Sequence, residues 1–327
     1  MLTNFFYTIP LIILIILNTR YRLLIGNYFG LIDKPDIKRK FHKYDTPLIG
    51  SFPLIVIFIL YTLTLEYEYS YFNQIILVSS IFLFIGLVDD KKNISYKSKF
   101  FFSTLLLILF LSLNKNFLIS HLVFETFNLT IPLLNSHSLI ITVICIIILI
   151  NAFNFTDGIN GLSSIIASIW MLLLMLLNKE TNYHLIFLSI FIFLNAIPIF
   201  NGKYFLGDNG SLLIGAIISL ETIMMFNKNF NSVSYEQIFL VFIIPGLDMI
   251  RLIFLRITNN KNPFLADRNH LHHLLIKKFS LQKTLLIYSL LVVSPVIINS
   301  FLINKTIFLI ILSVILYFIT ISKITKT

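Results

Sequence analysis

Four short stretches carry side chains that can do chemistry. Asp89 and Asp90 stand side by side where an apolar run ends in VDDKKN. Two carboxylates this close bind a hard cation, or hold one raised pKa that suits a general base. The plainer reading is a span ending in a charged loop. In NAFNFTDGINGL, residues 151–162, Asn151, Asn154 and Asp157 recur at a spacing of three and share one face if the helix continues. Gly158 and Gly161 let backbone approach a ligand closely. Such a face suits a nucleobase or a sugar, although a capped helix end with turn glycines has the same composition. In FNGKYFLGDNGS, residues 200–211, glycines surround Asp208. Asp208 is a candidate magnesium ligand, the neighbouring N–H groups can face phosphate at a helix N-terminus, and Phe205 can stack a base. A turn with an aspartate N-cap looks similar. The fourth stretch, DRNHLHH at 267–273, sets His270, His272 and His273 beside Asp267 and Arg268. HLHH lacks i,i+4 spacing and the single cysteine, Cys145, is remote, so pyrophosphate suits these residues better than zinc.

Two further groups are ambiguous. Arg39, Lys40, His42 and Lys43 form a phosphate-attracting cluster that also serves as a topology signal. Asp248 and Arg251, three residues apart in an apolar run, can pair; they are either structural or part of a cavity wall.

The elements that must position these residues are membrane helices. Of 327 residues 57% are hydrophobic and only 12% charged, against about 25% charged in soluble domains. Backbone at hydrocarbon depth must bond within itself, and the long, non-alternating apolar runs select helices over a barrel. The sequence predicts an all-α integral membrane protein, a polytopic bundle of about 10–11 transmembrane helices, with residues 1–327 as one domain. The candidate spans are 3–19, 47–66, 72–88, 100–114, 138–152, 162–178, 184–200, 211–227, 236–256, 284–299 and 303–321. Segment 115–137 reads as an outer loop or short hairpin. The N-terminal run has no basic flank or small-residue cleavage site, so it reads as a first span.

With the N-terminus outside, 19 Lys and Arg residues fall in cytosolic loops and 4 in outer loops. All nine aspartates also fall on the cytosolic side, and all six glutamates on the outer side. Acids do not obey the positive-inside rule, so their segregation points to a site on the cytosolic face. The net charge of +10 suits anionic headgroups and phosphorylated substrates rather than nucleic acid.

DDKKN, NAFNFTDGINGL, FLGDNGS and DRNHLHH, in this order and spacing, make the chain resemble the polyprenyl-phosphate N-acetylhexosamine-1-phosphate transferases, the WecA/TagO-like branch of the MraY superfamily. The resemblance runs from residue 33 to 273, nearly the whole chain. His-Leu-His-His in place of three consecutive histidines points to this branch and away from the muramoyl-pentapeptide branch. The resemblance implies transfer of a sugar 1-phosphate from a UDP-sugar to undecaprenyl phosphate, with release of UMP. It implies magnesium, or manganese in its place, and a multi-pass protein of the bacterial plasma membrane with its site facing the cytoplasm. A homodimer is compatible with it. It makes Asp89, Asp90 and Asp208 catalytic, and Asp208 with Asp157 the metal ligands. Asn151, Asn154, Asp157, Gly158, Asn160 and Phe205 hold the nucleotide; Lys43, Arg268, His270, His272 and His273 hold phosphate or sugar. Three positions depart from the pattern. Asn160 stands where many relatives carry a second aspartate, and Leu48 and Ser51 interrupt the P-R-x-G-G of the first loop; the departures are expected not to touch the acids. Intramembrane prenyltransferases of the UbiA type also use aspartate pairs and magnesium. They want a second aspartate four residues on, where this chain has Asn93 and Gly161. A lipid-linked sugar transporter would carry charges deep in its spans, and an inactive scaffold would not keep the acids.

Overall fold

The computed structural model describes residues 8–35, 44–56, 59, 70–177, 183–228, 233–263, 267–302 and 305–326. Lys43, with Arg39, Lys40 and His42, lies outside the described residues. The chain is helical: α1 Thr8–Arg20, α2 Arg22–Phe29, α3 Ser70–Lys92, α4 Tyr96–Leu113, α5 Asn135–Asn154, α6 Leu162–Leu177, α7 Tyr183–Phe200, α8 Gly207–Lys228, α9 Tyr235–Thr258, α10 Leu271–Ile276, α11 Leu281–Phe301 and α12 Thr306–Lys326. Among the described residues seven helices are long and apolar enough to cross a membrane, or eight if the bent pair α1–α2 is one span. The shorter apolar helices include α6 and most of α7. Ten of the eleven predicted spans coincide with helices. Of the second, 47–66, only 47–56 and 59 are described, and 52–56 are helical.

The bundle is organised around α8. Its sequence is apolar on every side, and such a helix is stable only when enclosed. Nearly all of its residues are buried, and it packs on α3, α5 and α6. Gly210, Ser211, Gly215 and Ser219 let neighbouring backbones come close, as small residues do between membrane helices. Other helices keep one face outward: Leu77 and Phe84 on α3, Ile140 and Ile148 on α5, and Phe308 and Ile315 on α12 are exposed, as lipid-facing residues are.

Two small antiparallel sheets sit at opposite ends of the bundle. At one end β1 Ile32–Asp33 pairs with β2 Thr46–Pro47. At the other, β3 His121–Phe124 pairs with β4 Leu129–Pro132, forming the hairpin expected in segment 115–137. Glu236 at the start of α9 accepts the Glu125 N–H at 2.7 Å and the Thr126 N–H at 3.3 Å, holding the hairpin turn. Besides the β1–β2 pair, the sequence reading missed two helices. α2 lies in what reads as a loop, bent 74° from α1, and the one-and-a-half-turn α10 lies within the histidine stretch.

α3 and α8 approach each other closely at Gly86. A methyl group there would sit 2.5 Å from the Asn209 nitrogen and from the Asp208 carbonyl oxygen, both backbone atoms that cannot move aside. Gly86→Ala should therefore separate the two helices and destabilise the protein by about 1–3 kcal/mol, the usual cost of overpacking. Thermal unfolding in detergent checks this; a midpoint equal to wild type would show that the helices do not meet this closely.

Candidate active site

Four stretches far apart in sequence meet at the β1–β2 end of the bundle. They line an open cavity of about 750 Å³ with Asp89, Asp90, Asp157, Gly158, Asn160, Phe205, Asp208, Arg268 and His273. Ile32, Asp33, Lys34 and Leu48 form its rim. The acids arrive from the C-terminal end of α3, the turn between α5 and α6, and the first turn of α8.

Asp90 is the joint of this arrangement. Its carboxylate accepts the Asp208 N–H at 3.0 Å, the Asn209 N–H at 2.9 Å and the Asn209 side-chain amide at 2.5 Å. These are first-turn N–H groups of α8, which have no partner inside their own helix, and the negative charge also suits the positive end of the helix dipole. Gly207, at φ +76°, supplies the left-handed turn that starts the helix beside this carboxylate. Asn209 is itself held from the first loop. It donates to the Leu48 carbonyl at 3.0 Å, and the Ser51 hydroxyl donates to its Oδ1. The two departures from the first-loop pattern, Leu48 and Ser51, therefore reach the acids through Asn209. Phe205 is fixed through its backbone, donating to the Pro47 carbonyl at 2.8 Å and accepting from Gly50 at 2.9 Å.

Asp89 and Asp208 converge on one point. Lys99 Nζ donates to Asp208 Oδ2 at 2.5 Å and forms an ion pair with Asp89 Oδ2. The two carboxyl groups lie within hydrogen-bonding reach of each other. Asn154 donates to the other Asp208 oxygen at 2.8 Å and to the Ser211 hydroxyl at 2.9 Å, tying the end of α5 to the start of α8. Lys99 is the site residue that the sequence reading missed. It stands among four lysines that read together as a topology signal. Its signal is local: Asn93 turns the chain at φ +49° and Ser95 caps α4, so the first turn of α4 folds back beside Asp89.

Asp157 accepts the Ser163 hydroxyl at 2.6 Å. Burial pushes its carboxyl up to about 7 and the Asp208 charge adds to this, while the Ser163 hydroxyl and the Gly207 N–H oppose it. Asn151 donates to the Ile147 carbonyl of its own helix at 2.7 Å and does not line the cavity.

The histidines divide. His273 and Arg268 line the cavity; His270 and His272 are buried behind it. His270 Nδ1 lies 2.8 Å from Asp248, whose carboxylate also accepts from the Leu271 N–H at 3.0 Å, Arg251 at 2.9 Å and the Tyr317 hydroxyl at 2.7 Å. Arg256 pairs with Asp267 at 2.9 Å. The charges of α9 thus hold the histidine segment in place rather than lining the cavity. Gly158 packs directly on His272 and His273, where a side chain would collide with both rings.

No group of three or more His, Cys, Asp or Glu residues able to hold a metal ion occurs among the described residues. Magnesium does not need such a cage: it is commonly bound by one or two carboxylates together with waters and substrate phosphates. Asp89 and Asp208, whose oxygens already face one cation, fit that requirement. Asp157 is engaged by Ser163, and Asp90 by the start of α8.

A family model described as glycosyl transferase family 4 matches residues 72–226. Similar proteins from several bacteria carry the name undecaprenyl-phosphate alpha-N-acetylglucosaminyl 1-phosphate transferase. The one from Haemophilus influenzae is 30% identical over 270 residues, covering 77% of this chain and 74% of its own. The Thermotoga maritima relative is 28% identical, with 78% and 76% covered. The Yersinia pestis relative is 25% identical, with 76% and 70% covered.

The geometry also sets a pH dependence. Burial, with the charges of His270 and Arg268, holds His273 down at about 4, against 6.5 for a free histidine. Between those values the unfolded chain binds the extra proton, so stability rises with pH from about 4 to 6.5 and is lost as pH falls through that window. Unfolding midpoints of wild type and His273→Gln across this range should diverge, with the variant showing the shallower rise; parallel curves would exclude a depressed His273.

Proposed function

The chain belongs to the glycosyl transferase family 4 transferases of undecaprenyl phosphate, and from that premise we propose that it transfers a sugar 1-phosphate to undecaprenyl phosphate. The donor is a UDP-sugar carrying an N-acetylhexosamine, and UMP is released. The product starts a lipid-linked cell-envelope glycan. The protein spans a bacterial plasma membrane several times with its cavity towards the cytoplasm. The observation that carries this reading is the meeting of Asp89 and Asp208 at one cation, beside the start of α8 and facing Arg268 and His273.

In the reaction an oxygen of the lipid phosphate attacks the sugar-bearing phosphorus of the donor. The bond from that phosphorus to the bridging oxygen breaks, and UMP leaves with the electron pair. Phosphoryl transfer of this kind demands positioning and neutralisation of oxygen charge more than covalent help. Arg268, fixed beside the Asp267–Arg256 pair, and neutral His273 present donors to the pyrophosphate. Lys99 puts a positive charge where the reacting phosphates crowd. Asp90 acts by fixing the first turn of α8, and through it Asp208. Asn154 steadies Asp208, while Asp157, Gly158 and Asn160 bound the side where the nucleoside fits, with Phe205 near the base. Magnesium, or manganese, would be held by Asp208 and Asp89, with Asp157 as the further candidate, and when bound would supply positive charge against the pyrophosphate. Attack by an aspartate to give an aspartyl-phosphate is the second route. The existing engagement of Asp89, Asp90 and Asp208 favours direct displacement.

Membranes containing the protein, undecaprenyl phosphate, magnesium and a panel of labelled UDP-sugars, N-acetylglucosamine first, should yield lipid-linked sugar pyrophosphate and UMP. No product with any donor would refute the transferase. Asp208→Asn should abolish turnover in a folded protein, and wild-type rates would remove Asp208 from the site. Lys99→Met should lower kcat by about 10²–10³-fold, as loss of one preorganised electrostatic partner does. An unchanged kcat would confine Lys99 to structure.

A further inference from the structure

We propose that Tyr317, on the last helix, is a positioning residue for the donor: through Asp248 and Arg251 it sets the spacing between two walls of the cavity, segment 267–273 and the turn 155–158. From residue 307 to 319 α12 is apolar apart from Ser313 and Tyr317. Ser313 donates to the Leu309 carbonyl of its own helix. Tyr317 is fully buried, while its neighbours Leu316 and Phe318 face outward. A tyrosine hydroxyl buried in a bundle needs partners, and this one has two charged ones. It accepts from Arg251 Nε at 2.6 Å and donates to Asp248 Oδ1 at 2.7 Å. Both partners then reach three consecutive residues of the histidine segment. Arg251 donates to the Asn269 carbonyl at 2.5 Å, and Asp248 accepts from the Leu271 N–H at 3.0 Å. Asp248 Oδ2 lies 2.8 Å from His270 Nδ1; an ionised carboxylate only accepts, so Nδ1 carries the proton. Neither Asp248 nor Arg251 lines the cavity.

From this anchor the contacts run to the opposite wall. The His270 ring packs on Phe155 with centroids 5.3 Å apart, and it stacks on His272 at 5.5 Å and 12°. His272 and His273 rest on Gly158, where a methyl group would lie 2.3 Å from one Nε2 and 2.9 Å from the other. Phe155 and Gly158 flank Asp157, on the side assigned above to the nucleoside. Arg268 and His273 belong to the side assigned to the pyrophosphate. On the function proposed above, a UDP-sugar touches both walls and its binding senses the gap between them. The lipid phosphate makes no such demand. Without the Tyr317 hydroxyl, Arg251 Nε loses a buried acceptor and Asp248 loses a donor, so both side chains must reorient. A displacement of about 1 Å passed on to the cavity wall is enough to cost binding and rate.

The test uses the full chain in nanodiscs and the variant Tyr317→Phe, which keeps the ring and loses the hydroxyl. Hydrogen exchange of peptides covering 267–276 should quicken by about 10–100-fold, the factor for losing a hydrogen bond to a buried charge, while the β3–β4 hairpin stays as in wild type. Equal exchange in both proteins overturns the anchor, and equal quickening everywhere marks general loosening and also overturns it. Arg251→Lys, which keeps the charge and loses the planar fork, serves if the first variant fails to fold. UDP-N-acetylglucosamine binding, read by calorimetry without lipid, should weaken about tenfold in Tyr317→Phe. In a background of Arg268→Gln with His273→Gln the same change should cost much less, because the groups it positions are gone. Fully additive losses overturn the link to the cavity wall. In turnover, KM for the UDP-sugar should rise several-fold and KM for undecaprenyl phosphate stay constant; an equal rise in both overturns the assignment to the donor. A wild type that binds no UDP-sugar refutes the transferase reading, and the exchange measurement still decides the anchor by itself.

Discussion

One carboxylate, Asp90, sets the position of the acid-bearing first turn of α8. It closes the first turn of α8 by taking N–H groups that the helix cannot satisfy itself. α8 is also the helix around which the bundle is packed, so this cap fixes the register of the central helix against α3. Asp208 is one residue into that turn and Asn209 two, and neither can shift without breaking bonds to Asp90. The tight contact at Gly86 belongs to the same joint, since only a bare backbone lets α3 approach close enough for the cap to form. Within the pair Asp89–Asp90 the labour is therefore divided. Asp90 faces the helix end, and Asp89 faces the cation shared with Asp208.

Around this joint the site is assembled by polar bonds between elements that apolar packing alone would leave free to slide. Asn154 bridges α5 to α8, Asn209 bridges the first loop to α8, and Asp248 ties α9, α10 and α12 together. Lipid offers helices no hydrophobic drive to associate with one another, so small residues and interhelical bonds carry more of the specificity. The opposite end of the bundle is secured separately by Glu236 and the β3–β4 hairpin. The site end can then present an open cavity without loosening the bundle.

Much of this was legible in the sequence, and for identifiable reasons. Spans announce themselves because backbone in hydrocarbon must be helical and most side chains there apolar, and ten of the eleven coincide with helices. The convergence of Asp89, Asp90, Asp157 and Asp208 was legible because topology puts their span ends on one side. What topology does not give is the partner of each side chain. Lys99 looked like its three neighbouring lysines, because helix period and charge count do not distinguish a lysine aimed inward from one left in water. His270 and His272 looked like ligand groups, yet both are buried behind the cavity, and His270 is held there by Asp248, distant in sequence. α2 was read as loop because eight residues with two arginines nearby satisfy no span criterion. Ser51 was set apart from the acids because nothing in the chain before folding links it to Asn209.

The ion pair between Lys99 and the two carboxylates bears on how the protein is made. Three acids brought together in a low-dielectric bundle would repel one another and keep α3 and α8 apart until a counter-ion arrived from solution. Here the counter-ion is part of the chain, delivered by the helix that follows α3 directly. The pair Asp89–Lys99 can therefore be complete as soon as α3 and α4 have been inserted, before α8 is synthesised. When Asp208 emerges it meets a lysine already in place beside Asp89. The chain itself thus supplies part of the counter-charge that these acids need when α3 and α8 come together.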